Sequence, residues 1–476
     1  MIENFPGRVR PPGEIAGYSN YNPMLAGYIV TRVTGQPYDQ YVHEHIFEPL
    51  GMTHSNVHVQ IPEDLRPYLS KSYIYVDGAL QQFPDYVGQP AGMPSGSHQM
   101  SVTDMARFMI AHLQGGFYGD ASSEMRILEE STARQMHSTL YTPDPRLNGG
   151  MAYGFFENTL NGQRVISHGG SLVTFHSHLL LIPEQNVGLY ISTNGTRGAA
   201  TTVAVINAFL DRYYPVAEAS DMQSAAGFAE RIAPYLGEYT QARSNFTTYE
   251  KIYQVFTPIN ASLDSDGVLV VSRPGRVWRF AEVEPGLLQD LDDPDNRWVY
   301  RPGPGGRLYL ITSHPSLPLF RTPWYGTGIL HMLLFAGGTL LFLGALIVWP
   351  IGYFAGRRKR SMDSSLPIPG PARLARWAAA FFGLLWLVVL LGITSIFMDI
   401  VPVFGYPRII FEAVPRLNVL LALSYGLAGL ALAILVFAVL AWVRSYWRLG
   451  GRIFYTLLAL FALLLTWSLA YWNLFL

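Results

Sequence analysis

The sequence predicts three architectures in series: an α+β domain with helices on an antiparallel sheet, a small all-β barrel, and four membrane-spanning helices. Three observations lead there. Charged residues make up only 14% of the 476 residues and hydrophobic ones 50%, against a usual charged share of about 25%. The apolar surplus lies after Arg321. Before it, helical periodicity gives way first to strand periodicity and then to short alternating runs cut by turn signals. We place the domains at residues 1–215, 216–321 and 322–476.

The first helix is expected over Pro23–Val33, where Leu25, Tyr28, Ile29 and Val33 share a face, with Gly35 as its stop. A second covers Pro37–Phe47 and is ended by Pro49 and Gly51. Ser101-Val102-Thr103-Asp104 has the form of a capping box, and Met105, Phe108, Met109 and Leu113 carry a helix to Gly115. Phe175–Ile182 and Val187–Thr193 read as strands joined by Pro183-Glu184-Gln185-Asn186, and Ala199–Tyr213 as a closing helix. Beyond it, Val268–Ser272, Arg276–Val283, Trp298–Arg301 and Arg307–Thr312 alternate like strands of a small barrel or sandwich.

Four stretches carry no Asp, Glu, Lys or Arg: Thr322–Gly356, Trp377–Met398, Leu417–Val443 and Ile453–Leu476. Each exceeds the roughly 20 residues a helix needs to cross hydrocarbon. Arg357, Arg358, Lys359, Arg360, Arg373 and Arg376 flank the first loop between spans, and Arg444, Arg448 and Arg452 the third. Basic loops stay in the cytoplasm. The expectation is an integral membrane protein with residues 1–321 and the C-terminus on the extracytoplasmic side. Trp349, Trp442, Trp447 and Trp472 sit near span ends, as an aromatic belt requires. Uncharged spans disfavour a transporter. The first residues, Met1-Ile2-Glu3-Asn4-Phe5-Pro6, do not form an export signal. Either the first span serves as a late signal or the chain lacks its true beginning.

A net charge of −1 gives no basic field for nucleic acid. The absence of cysteine excludes disulfides, thiolate metal sites and a cysteine nucleophile. The residues able to carry chemistry are few. Tyr18 and Asn20 precede the first helix and can supply a phenol for proton transfer and an amide for holding a carbonyl or amine. Ser167-His168-Gly169-Gly170-Ser171 opens the predicted hairpin; two glycines let a ligand approach the backbone and leave an N–H for an oxyanion. Taken singly, each set is more simply structural. The pairs in His43-Glu44-His45, His54-x-x-x-His58 and His176-x-His178 lack a supporting carboxylate pattern, so no metal and no other cofactor is expected.

In order, Pro11-Pro12-Gly13-Glu14, Tyr18-Ser19-Asn20, Pro49-Leu50-Gly51-Met52, Pro90-Ala91-Gly92, Thr103–Phe108 and His168-Gly169-Gly170 resemble the serine β-lactamase and penicillin-binding-protein superfamily, in its class C β-lactamase-like branch. The resemblance covers about residues 4–213. It implies that Tyr18 belongs to the proton-transfer system, that Asn20 helps place substrate, and that His168 occupies the Lys-or-His position of the third motif. It also implies that Gly169, Gly170 and Ser171 border the substrate, with the Ser171 N–H as half of an oxyanion hole. The segment 235–320 resembles the lipocalin-like domain of some members, and the tail that of membrane-bound relatives.

One departure governs the functional expectation. The family nucleophile is the serine of Ser-x-x-Lys, whose lysine one helical turn along takes the serine proton. The chain has three lysines, and the residues three positions before Lys71, Lys251 and Lys359 are Tyr68, Thr248 and Gly356. Gly-x-Ser-x-Gly is absent too. The sequence therefore reads as a membrane-anchored serine hydrolase, for amide or ester acyl transfer, shown without its N-terminal part and inactive as written. The alternative is a non-catalytic ligand-binding or interaction module. The expected partners are a small-molecule, peptide or ester substrate and the lipid bilayer. Substrate and oligomeric state stay open.

Overall fold

The computed structural model describes residues 7–58, 60–76, 78–83, 93–119, 125–216, 222–359, 370–401 and 406–475. Pro90-Ala91-Gly92 lies outside them. The chain forms two compact units, residues 1–243 with 259–321, and residues 244–258 with 322–476.

In the first unit, helix α1 (Tyr21–Thr34) ends at Gly35, whose φ of 76° supplies the left-handed cap. The second helical stretch runs through Tyr38–Val42, a π turn His43–Phe47 and a last turn Glu48–Leu50. Pro49 is thus inside the final turn, tolerated near its start, and Gly51 alone is the stop. Helix α2 (Val102–Leu113) is capped by Ser101, whose Oγ accepts from the Asp104 N–H at 3.1 Å. Only this half of the predicted capping box forms. The Asp104 carboxylate instead accepts from the His54 N–H at 2.8 Å and the Ser55 hydroxyl at 2.9 Å, and Ser101 N–H donates to His54 O. Helix α3 (Glu130–His137) follows.

A five-stranded antiparallel sheet comes next, in the order β1 (Gly149–Met151), β2 (Phe156–Leu160), β3 (Gln163–Ser171), β4 (His176–Ile182) and β5 (Val187–Thr193). Helix α4 (Gly198–Tyr213) closes it. Both faces are covered. Ile166, Leu179 and Leu181 pack on Met105 and Met109 of α2. Val165, Leu180 and Ile182 pack on Ile206 and Leu210 of α4. Two covered faces explain why Leu179–Ile182 is a continuous apolar run and not an alternating one. Each fully buried aliphatic side chain contributes about 1.5–3 kcal/mol.

The all-β part of this unit is a closed antiparallel barrel of eight strands: β6 (Gly237–Gln241), β7 (Ile259–Leu263), β8 (Leu269–Arg273), β9 (Arg276–Glu284), β10 (Leu287–Asp290), β11 (Arg297–Pro302), β12 (Leu308–Thr312) and β13 (Leu319–Arg321). Closure on β6–β13 pairing removes the sheet edges. Leu269, Val271, Phe280, Leu288 and Leu310 fill the interior. Glu282 is buried there too, held by Arg231, the Tyr300 hydroxyl and the Gly286 N–H. The barrel seats against the sheet. Leu147 packs with Leu287, Val299 and Ile311, and Arg146 and Arg301 donate across to Pro285 O and Pro143 O.

The second unit is a bundle of α5 (Gly328–Lys359), α6 (Gly370–Phe397), α7 (Pro415–Val443) and α8 (Leu449–Tyr471). All four helices are long and apolar enough to cross a membrane. Helices α6 and α8 begin before the charge-free runs and take in Arg373, Arg376 and Arg452. Arginine is a good helix former, and its long stem can lie along apolar surface. Residues 244–258, between β6 and β7, belong with this bundle. Ile252 and Val255 join its core, and Lys251 Nζ donates to Tyr471 O at 2.5 Å over the Tyr471 ring.

Candidate active-site cleft

The five-stranded sheet sets the cleft through a mismatch between two ladders. On one side β3 pairs with β2 only from Gln163 to Ser167. On the other it pairs with β4 from Ile166 to Ser171. Beyond Ser167, one edge of β3 has no ladder partner among the described residues. His168, Gly169, Gly170 and Ser171 lie on this open edge, with the last three exposed. The sequence reading put His-Gly-Gly at a strand start. It stands at the strand's end instead, because the apolar Val165 and Ile166 before it form the paired, buried half.

A cleft of about 2090 Å³ opens along this edge. Tyr18, Ser19, Asn20, His168, Gly169, Gly170 and Ser171 all line it. Tyr18 and His168, 150 residues apart, have ring centroids 6.2 Å apart. Phe156 stacks on His168 at 5.3 Å and meets Tyr18 at 5.8 Å, so one aromatic ring sets the spacing of the other two. Asn20 precedes α1 but makes no capping hydrogen bond with its side chain. Ser19 takes the capping contact, its Oγ accepting from the Tyr21 N–H at 3.2 Å.

The two glycines have a steric reason. A Cβ at Gly169 would stand 3.0 Å from His178 Nδ1, and one at Gly170 3.2 Å from Ser177 Oγ. Any side chain at either position would press on β4. Burial holds the His168 imidazole below its usual pKa. His178 is lowered by burial and then by His168. These rings are held neutral near neutral pH, so His168 can accept a proton.

The barrel contributes groups that no motif announced. Arg243, just after β6, places its guanidinium 4.6 Å over the Tyr18 ring. His314, just after β12, packs on Phe156 at 4.7 Å and accepts or donates at 2.9 Å with Ser316 Oγ. Burial lowers the His314 pKa, with Arg243 and His168 adding to the shift. Arg243, His314 and Ser316 all line the cleft. Sequence spacing could not reveal them, because barrel closure alone brings them to β3. A second Ser–His contact joins Ser171 Oγ to His176 Nδ1 at 3.1 Å, while His176 Nε2 is buried without a partner among the described residues. No carboxylate therefore orients that imidazole as a triad acid would.

Of the histidines considered as metal ligands, His43, His45, His54 and His58 have other contacts. His43 faces Glu48 at 3.3 Å, His45 packs on Tyr41, His54 on Tyr68, and His58 meets Asp39 at 2.7 Å. Among the described residues, no three His, Asp or Glu are grouped to hold a metal ion.

Residues 6–208 match the family model described as Beta-lactamase. Over 155 residues the chain is 30% identical to PbpX of Bacillus subtilis (strain 168), a protein named for penicillin binding, covering 33% of this chain and 38% of that one. Over 187 residues it is 29% identical to protein flp of Staphylococcus aureus (strain MW2), covering 38% and 34%. The match thus spans little more than a third of the length of these curated relatives. The octameric penicillin-binding protein homologue from Pyrococcus abyssi aligns at 20% identity over 66% of each chain, with a TM-score of 0.36. Over residues 6–208 the chain thus carries a domain that matches the Beta-lactamase family model and is similar to penicillin-binding-protein relatives.

Proposed function

We propose that the cleft is the substrate-holding and proton-transfer part of an acyl-transfer hydrolase site, on a membrane-anchored protein whose soluble part faces the extracytoplasmic side. The observation that carries the reading is the convergence of Tyr18, Asn20 and His168 beside one unpaired strand edge. In this reading the Asn20 amide holds the substrate's carbonyl or amine. His168, kept neutral by burial, and Tyr18 pass the proton. A backbone N–H at Ser171 meets the developing oxyanion. Residues 1–476 contain no Ser-x-x-Lys, so this chain by itself binds without forming an acyl-enzyme. The basic loops at 357–376 and 444–452 support a cytoplasmic side for those bundle ends in this reading.

Arg243 favours a substrate that carries a carboxylate beside its acyl group, with the neutral His314 beside it able to donate a hydrogen bond. β-Lactams, peptides ending in D-alanine and acidic esters have that chemistry. The experiment is calorimetric titration of the full chain in detergent with N-acyl-D-alanyl-D-alanine, a β-lactam and a neutral ester. The carboxylated ligands should bind, and Arg243→Ala should weaken them about tenfold, the scale of one charged hydrogen bond. Equal binding by the Arg243→Ala chain, or preference for the neutral ester, would contradict the reading. The non-catalytic module remains the second reading, favoured by the same missing Ser-x-x-Lys. Binding of partners other than acyl compounds would support it.

A further inference from the structure

A second cavity, of about 280 Å³, lies inside the bundle where α5 and α7 end and α6 and α8 begin. Trp349, Arg376, Trp447, Arg448, Phe454 and Tyr455 line it. Arg376 holds its guanidinium 5.9 Å from the Trp349 ring and 5.7 Å from the Trp447 ring. Its planar fork thus lies between two aromatic walls. Gly451 completes the lining, and a Cβ there would stand 2.8 Å from Trp447 Cβ. Without a side chain at 451, Trp447 can close the wall.

At this end the Tyr455 hydroxyl donates to Ala375 O and Arg452 to Ser445 Oγ, but the arginine charges are not neutralised by the described residues. Among the described residues, Arg373, Arg376, Arg444, Arg448 and Arg452 have no carboxylate partner, whereas at the opposite end Arg408 and Arg416 both meet Asp399. Trp447 Nε1 and Arg452 Nε are buried with no hydrogen-bond acceptor among the described residues. Buried donors without partners are costly, and natural proteins seldom keep them unless something fills the gap. A compact oxyanion with several acceptor oxygens would take two arginines and an indole N–H at once. A phosphate ester has that form. The surroundings choose its source: Leu374 and Trp377, on the same turns of α6 as Arg373 and Arg376, are exposed at 60% and 63%, an apolar surface suited to acyl chains.

We propose that this cavity binds the phosphate of an anionic phospholipid head group. Basic pockets between membrane helices hold such head groups by this chemistry. The test reconstitutes the full chain in nanodiscs of phosphatidylcholine with or without phosphatidylglycerol and counts retained lipids by native mass spectrometry. Phosphatidylglycerol should be retained over phosphatidylcholine by about tenfold. Arg376→Gln with Arg448→Gln should abolish the preference, and Arg408→Gln should leave it intact. Trp447→Phe removes the N–H and shrinks the ring while keeping an aromatic wall for Arg376, and should reduce retention a few-fold without unfolding the bundle, which circular dichroism checks. A parallel arm adds inorganic phosphate. Displacement of the lipid by millimolar phosphate would assign the site to the free ion and overturn the proposal. Equal retention of both lipids, or a preference that survives Arg376→Gln with Arg448→Gln, would overturn it as well.

Discussion

The cleft and the four-helix bundle handle their polar groups in opposite ways. The cleft gathers them from across the chain: Tyr18 before α1, His168 on β3, His178 on β4, Arg243 after β6 and His314 after β12. The bundle sorts them by end. One end pairs Arg408 and Arg416 with Asp399, and the other leaves its arginines without carboxylates among the described residues. The difference follows from the surroundings. Helices of membrane length force charges to their ends, so position along the chain sets position in space. A sheet and a barrel impose no such order. Turns, registers and closure bring residues together that share no spacing.

The comparison can be broken most sharply at the scaffold. Leu181→Ala removes a fully buried side chain between β4 and α2 and should cost about 2–5 kcal/mol. Thermal unfolding of the soluble unit should shift well down while the bundle's helical signal persists. Simultaneous loss of both signals would show that the two units do not melt separately.

Acid should act next most strongly, and on the soluble unit. His98, His112, His137, His168, His176, His178 and His314 all have pKa values lowered first by burial, His112 to about 4. The unfolded chain then binds more protons than the folded one between about pH 6.5 and pH 4, so stability falls as pH falls through that window. Denaturant midpoints measured from pH 7.5 to pH 4.5 should decline steadily. A flat profile would mean that the cleft histidines are not desolvated.

Smaller effects sharpen the contrast. His168→Ala should leave the unfolding midpoint nearly unchanged, since the ring is only half-buried, yet weaken a carboxylated acyl ligand about tenfold. A large loss of stability would return His168 to a purely structural role. Lys251→Ala deletes the hydrogen bond to Tyr471 O and the contact with its ring, and should cost the bundle about 1 kcal/mol. No change in its thermal unfolding would mean that the Lys251 contacts with Tyr471 add nothing to its stability.

How much the sequence discloses follows the same division. The four spans, the helix stop at Gly35 and the Pro183–Asn186 turn are legible because each depends on local composition or on one backbone dihedral. Asn186 adopts the positive φ of 53° that such a turn requires. The motif residues Tyr18, Asn20 and His168 could be named, but their meeting at the β3 edge depends on where the β2 ladder stops. Arg243 and His314 were out of reach, because only barrel closure brings the ends of β6 and β12 to the cleft. Half of the Ser101–Asp104 box failed for a related reason: the Asp104 carboxylate found stronger partners in the chain at His54 and Ser55. Strands β6, β10 and β13 are short or carry too few apolar residues to show a period, whereas β7, Ile259-Asn260-Ala261-Ser262-Leu263, alternates cleanly and was readable but missed.

The measurement closest to the central claim asks whether the cleft binds acyl substrates without reacting. The full chain in detergent is incubated with a fluorescent penicillin and, separately, with a fluorophosphonate, and its intact mass is read. The account predicts an unmodified mass with both reagents, together with reversible penicillin binding that His168→Ala and Arg243→Ala weaken. A stoichiometric adduct would contradict it, and peptide mapping to Ser171 would make the Ser171–His176 contact the nucleophile and base that the account denies.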